Sequence, residues 1–384
     1  MQTLSTRLID TAQGLQDLRP AWEDLHARSV DNELSLHPVW LLTWWDVFGA
    51  DEQRALRVLA FFDQDRLVGL APLLQRPHVY APGLVFRRLE NLGSGEQAAD
   101  ETCGDYLGIL AGRGQEADVA AAFAQALVNG SAGTWDELLL ASMDGDSPLP
   151  ALLQSAFVAC GYPAVLEEWS ASPYIPLPGT WDEYLAGLKT SRRAQIRKAL
   201  RNFENWAGEP PVLNLVRSAD DLAEGKRILI ELHGERWTAD GVFASARFRK
   251  FHELLMPALL RTGGLELGWI SAHGAPVAAF YNFVRDNKVS FYQGGRRLDT
   301  PADVQLGMAM HACLIRSAIE AGRREYDFLA GVAQYKTSFA LATRPILRLR
   351  VARPSMRELA RAGLAGALSR AKAMRDRARG LLSR

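Results

Sequence analysis

The 384 residues are too many for one ordinary core and suit two. Lys plus Arg and Asp plus Glu number 44 each, so the formal charge is zero, which speaks against a dedicated nucleic-acid binder and leaves DNA out of the expected partners. Three cysteines far apart (Cys103, Cys160, Cys313) exclude a disulfide framework and a cysteine-based metal site, and no run approaches the roughly 20 apolar residues that span a bilayer.

Residues 11–28 carry helical spacing through Leu15, Leu18, Trp22 and Leu25. Pro38 opens a second helix with Trp40, Leu41, Trp44, Trp45 and Phe48, which Gly49 stops. The tryptophans read as core rather than as a sugar platform. A hairpin follows over 56–62 and 66–74, then a glycine-rich loop over 91–105. The next elements are a strand over 105–110, an alanine-rich helix over 115–129, a strand over 135–143 and a helix over 148–159. Residues 170–179 hold three prolines and are taken as the domain boundary.

Beyond it, Thr180 or Asp182 starts a helix, 191–204 is a basic helical run, and 219–237 and 244–261 are helical. Residues 265–271, 275–284 and 288–295 form a meander, followed by a helix opening near Gly307 and a strand from Tyr326. The order strand, turn, strand, then strand, helix, strand occurs twice, with 105–110 set against 288–295, which suggests duplication. The expected division is 1–170, 175–350 and a tail over 354–384. The first residues lack the basic start and apolar core of a signal peptide, so a cytoplasmic location is expected. The tail has eight Lys/Arg against two acids, a net of +6. It reads either as a solvated helix or as a helix lying on the anionic inner membrane face.

The chemistry concentrates in 289–336. A strand ends in Gly294 and Gly295, a polar loop follows, and a helix opens near Gly307. A glycine-rich loop feeding a helix N-terminus receives an anion, because unpaired N–H groups and the helix dipole face it. Acyl transfer from a pantetheine-like donor suits that arrangement. It needs a proton taken from the acceptor, a donor for the developing oxyanion and a proton for the leaving thiolate.

The stretches 174–204, 233–237, 265–283, 289–295 and 305–340, in this order, resemble the GNAT acetyltransferase domain of the CelD/BcsL type linked to cellulose biosynthesis. Residues 36–49 resemble the start of such proteins, and the arrangement is similar to the Fem peptidyltransferases, built from two GNAT-like halves. The resemblance implies an α/β (mixed α+β) fold of tandem GNAT-like domains, each a mixed sheet flanked by helices, plus a basic C-terminal helix. Within the second domain, 288–295 and 325–330 are expected to splay around acyl-CoA (acetyl-CoA or another), used as co-substrate with no metal. The donor would lie against Gly294, Gly295, Arg296, Arg297, Gln305, Gly307 and Ala309; Val304 stands where Arg or Gln is usual. Tyr335 is the expected acid for the thiolate, and the backbone near Tyr292 the oxyanion donor. Asp327 is either a base or a residue that pins a loop.

Arg236, Trp237, His311 and Lys336 are candidate acceptor contacts. Arg193, Arg197 and Arg201 form a basic stripe that is either solvated or faces an anionic acceptor. The expected activity is N- or O-acyl transfer to a sugar, polysaccharide precursor or small metabolite. The alternatives are a Fem-like aminoacyl-tRNA-dependent transferase, in which tRNA is a partner, and a non-catalytic scaffold.

Overall fold

The computed structural model describes residues 4–50, 53–237, 241–367 and 370. In chain order the strands of the first half are β1 (Ser5–Ile9), β2 (Ala55–Leu56), β3 (Val58–Asp63), β4 (Arg66–Ala71), β5 (Leu73–Ala81), β6 (Leu84–Asn91), β7 (Leu110–Ala111), β8 (Glu137–Asp144) and β9 (Ala164–Pro176). Its helices are α1 (Ala12–Asp17), α2 (Arg19–Ala27), α3 (Pro38–Phe48), α4 (Glu116–Val128) and α5 (Leu149–Ala159). The second half begins with α6 (Trp181–Gly187) and α7 (Thr190–Ala207). It continues through β10 (Leu213–Leu215), α8 (Ala219–Trp237), α9 (Ala246–Arg261), β11 (Leu265–Ala272), β12 (Ala275–Arg285) and β13 (Lys288–Arg296). It closes with α10 (Leu306–Glu320), β14 (Glu325–Asp327), α11 (Gln334–Phe339) and β15 (Ala342–Ala352). Residues 356–367 are helical.

One sheet runs β10-β11-β12-β13-β14-β9-β15-β8-β6-β5-β2, and a smaller one runs β1-β3-β4-β7. Each half contains one parallel pair. Arg88 sits opposite Glu137 where β6 meets β8, and Lys288 sits opposite Glu325 where β13 meets β14. Two strands then change sides. The last strand of the first half, β9, pairs with β14 of the second, and the last strand of the second, β15, pairs with β8 of the first. β9 and β15 pair with each other at the centre.

Three sequence expectations are corrected here. Residues 105–110 are not a strand apart from Leu110. The parallel neighbour of β8 is β6, so β6 rather than 105–110 corresponds to β13. The proline-bearing stretch over 170–179 is mostly the end of β9. Pro173 lies opposite Thr343 of β15, Pro176 ends the strand and Pro178 follows it, while Ser172 and Ile175 are fully buried. The strand expected over 325–330 stops at Asp327.

The core explains the halves' cohesion. Trp40 and Trp44 are buried and Trp45 half-buried, as their spacing predicts. The Trp40 ring meets Phe251 of α9 edge-on at 4.9 Å and Phe283 of β12 at 5.5 Å, so α3 of one half is packed into the other. A second cluster joins α6, α7 and α10 to the opposite face of β11–β14.

Candidate functional site

β13 and β14 pair only over 288–290 and 325–327; beyond that, the strands part. β13 also carries a bulge. Tyr281 faces Gln293 and Asn282 faces Phe291, leaving Tyr292 unmatched. Past the parting, β13 ends at Arg296, and a loop leads to Gln305, the N-cap of α10, which makes no side-chain cap bond. A cavity of about 430 Å³ opens there, walled by Gly295, Arg296, Gln305, Gly307, Arg236, His311 and Tyr335, with Met308, Met310 and Phe339 as apolar wall. The sequence thus brings seven of its candidates together. A Cβ built on Gly307 meets no atom nearer than Arg296 Cδ at 3.9 Å, so the first turn of α10 faces open space beside a guanidinium. The first turn holds no acidic residue. Among the described residues no carboxylate lines the cavity, so its field is that of two arginines and a helix N-terminus.

The Tyr335 ring stacks on His311 at 5.5 Å and 24°. Burial raises the Tyr335 pKa, only partly offset by Arg236, so its hydroxyl keeps its proton at neutral pH. Burial, then the charges of Arg236 and Lys336, push His311 down to about 3, so it is neutral. Burial also lowers the Arg236 pKa. The site therefore offers a protonated phenol, a neutral imidazole and two cations.

Other candidates lie elsewhere. Asp327 is fully buried and accepts hydrogen bonds from Tyr106 Oη, Ser172 Oγ and the Leu329 N–H, each at 2.7 Å, with Arg344 at 3.2 Å. Burial opposes its charge, yet Lys288 and these hydrogen bonds hold its pKa below the ordinary value. Of its two sequence readings, pinning a loop is the one this geometry supports, since a saturated carboxylate makes a poor base. The Tyr292 side chain points into the core, where its hydroxyl donates to Thr102 O at 2.7 Å and meets His252 Nε2 at 3.1 Å; only its backbone borders the parting strands.

Gly295 serves packing as well as the cavity, for a Cβ there would meet His233 N at 2.1 Å, so α8 crosses β13 at this point. Gly294 lies under Met310 and Ala279, and Ala309 is a buried core residue. Arg297 turns outward to pair with Asp299. Lys336 Nζ donates to Leu329 O and Ala330 O, holding the loop before α11. Trp237 is 45% exposed and carries the Arg236 guanidinium over its ring at 4.7 Å. Arg193 donates to Leu188 O, whereas Arg197 is exposed.

Asp105 escaped the sequence reading. Burial lifts its pKa to about 6, and it accepts the Ala330 N–H at 2.8 Å, so the first half's glycine-rich loop reaches the loop after β14. The signal was that loop's glycine content, read only as length. Among the described residues no group of three or more His, Cys, Asp or Glu is arranged to hold a metal ion.

Residues 190–337, which include β13, α10 and Tyr335, match the acetyltransferase (GNAT) domain family. Over that stretch the chain is similar to a GNAT acetyltransferase domain. No curated protein matches the chain. Among solved structures, FemX is 12% identical, with 89% of this chain and 96% of FemX covered and a TM-score of 0.53. The C-terminal domain assigned to a lysylphosphatidylglycerol synthetase from Agrobacterium fabrum is 10% identical, with 90% and 95% covered and a TM-score of 0.51. These likenesses concern the fold alone. The GNAT domain supports transferase activity.

Proposed function

We propose that this protein transfers an acyl group from acyl-CoA to an amine or hydroxyl of a sugar, a polysaccharide precursor or a related small metabolite. The observation that carries this reading is the cavity at the open N-terminus of α10, lined by Arg236 and Arg296 and by no described carboxylate, with Tyr335 in its wall. Gly307 leaves room for a pyrophosphate against the helix end, and Arg296 stands beside it. When bound, the thioester supplies an activated carbonyl open to direct attack. The chain's own contributions are positional and protonic. The backbone around the Tyr292 bulge offers N–H groups to a developing oxyanion; the acceptor's proton passes to water, and the Tyr335 hydroxyl gives its proton to the departing sulfur and regains one from water.

The Fem-like reading is less well supported at this cavity. An aminoacyl donor brings an α-ammonium group, and two arginines without a carboxylate disfavour it. We also propose that the 354–384 tail touches anionic membrane. Met356 and Leu359, on its described part, are 80% and 66% exposed. Residues 368–369 and 371–384 of this basic tail lie outside the described ones. Among the described residues, no helix is long and apolar enough to cross a membrane.

Calorimetry with acetyl-CoA, longer acyl-CoAs and free CoA tests the donor reading. Saturable binding of CoA that Gly307→Val abolishes is expected. No binding of any of them overturns the reading, and charged tRNA becomes the next ligand to try.

A further inference from the structure

The two arginines of the cavity do not occupy equivalent places. Arg296 ends β13 beside Gly307, at the mouth of the helix. Arg236 comes from a different element, the last turn of α8, which the close contact at Gly295 presses against β13. Its charge reaches His233 on its own helix and, within the cavity, Tyr335 and His311, whose stacked rings sit beside Phe339 and Phe328. Arg236 therefore serves the end of the cavity where the proton donor sits, and Arg296 the end where the helix opens.

Arg236 also has no counter-ion among the described residues. Its neighbours are the Trp237 ring, the Tyr335 hydroxyl and another arginine, Arg296. A half-buried guanidinium that gives up hydration without a carboxylate partner costs stability unless something else repays it. Arg236 lines the same cavity as Met310 and Phe339, and a planar fork of N–H donors in such a wall is the usual receptor for a ligand carboxylate.

We propose that Arg236 is a specificity-determining residue that favours acyl groups ending in a second carboxylate, of the succinyl or malonyl kind, over neutral acyl groups of similar length. The inference rests on the acyl-CoA reading above. The transferred group would lie past the thioester with its terminal carboxylate on the guanidinium, and the helix end and Arg296 would remain with the phosphates.

The test compares succinyl-CoA, butyryl-CoA, acetyl-CoA and free CoA by calorimetry on the full-length protein, its Arg236→Gln variant and its Arg236→Lys variant, with thermal melting to verify folding. Succinyl-CoA is expected to bind at least about 10-fold tighter than butyryl-CoA to the unaltered protein. Arg236→Gln should bring that ratio to about one while free CoA changes less than about threefold; Arg236→Lys should keep part of the ratio. A ratio near one in the unaltered protein overturns the proposal. So does an equal loss for all four ligands in Arg236→Gln, which would make Arg236 a phosphate contact. Failure of free CoA to bind the unaltered protein removes the acyl-CoA reading itself, and the proposal falls with it.

Discussion

The two halves place a helix at the same point, after the strand that leads into the parallel pair, and finish its N-terminus in opposite ways. α4 begins with Glu116 and has Asp118 in its first turn, and the Glu116 carboxylate accepts the Gly114 N–H at 3.1 Å. Its positive end is satisfied by the chain's own acids. α10 begins with Leu306 and Gly307, has no acid in its first turn and opens on the cavity. The same backbone device is closed in one half and left available in the other. A fold repeated within one chain thus needs only a few side chains to decide which copy receives an anion.

The sharpest way to break this comparison is at the residue found only in the open copy. Tyr335→Phe should lower kcat by about 100-fold or more while donor affinity changes little, since a general acid contributes roughly 10²–10⁴. Unchanged turnover would remove Tyr335 as the acid. Met308→Asp would give α10 the acid that Asp118 gives α4. Donor affinity should fall about 10-fold or more while the helix gains about 0.3–1 kcal/mol, read as a small rise in Tm. Retained affinity would mean that the helix end is not the anion site.

Gly295→Ala tests the wall rather than the ligand. Its Cβ would meet the α8 backbone, and a loss of about 1–3 kcal/mol in urea melts is expected. A smaller effect concerns His252, buried against Tyr281 and Tyr292, whose pKa burial lowers to about 3. The unfolded chain binds this proton below about pH 6.5 and the folded one does not, so the contribution is full above 6.5 and is lost as pH falls. His252→Gln should flatten the acid side of the stability curve by about 1.4 kcal/mol per pH unit between 6 and 4, and an unchanged slope would contradict the assignment.

How far the sequence reached follows from which interactions are local. Period-two alternation and turn residues located β11, β12 and β13, and the glycine loop located the start of α10, because those signals lie within a few residues. Half of the candidate site was legible for the same reason. Gly295, Arg296, Gln305, Gly307, His311 and Tyr335 lie within one continuous segment, and Arg236 was marked by a polar cluster at a helix end. Asp327 and Tyr292 could not be assigned a side from their neighbours, since their partners Ser172, Tyr106 and Thr102 come from the other half. The exchange of β9 and β15 left no local trace at all. Prolines in β9 signal a linker in any window too short to contain the strands that flank it.

That exchange bears on how the protein is made. β9 lies between β14 and β15, strands synthesised long after it, and β8 waits for β15 as well. A chain emerging from the ribosome therefore holds the middle of its main sheet unpaired until residue 352 has appeared, with β9 exposing two bare edges in the interval. Either half expressed alone would lack a strand that only the other supplies, so the gene product behaves in assembly like a dimer whose subunits happen to share one polypeptide.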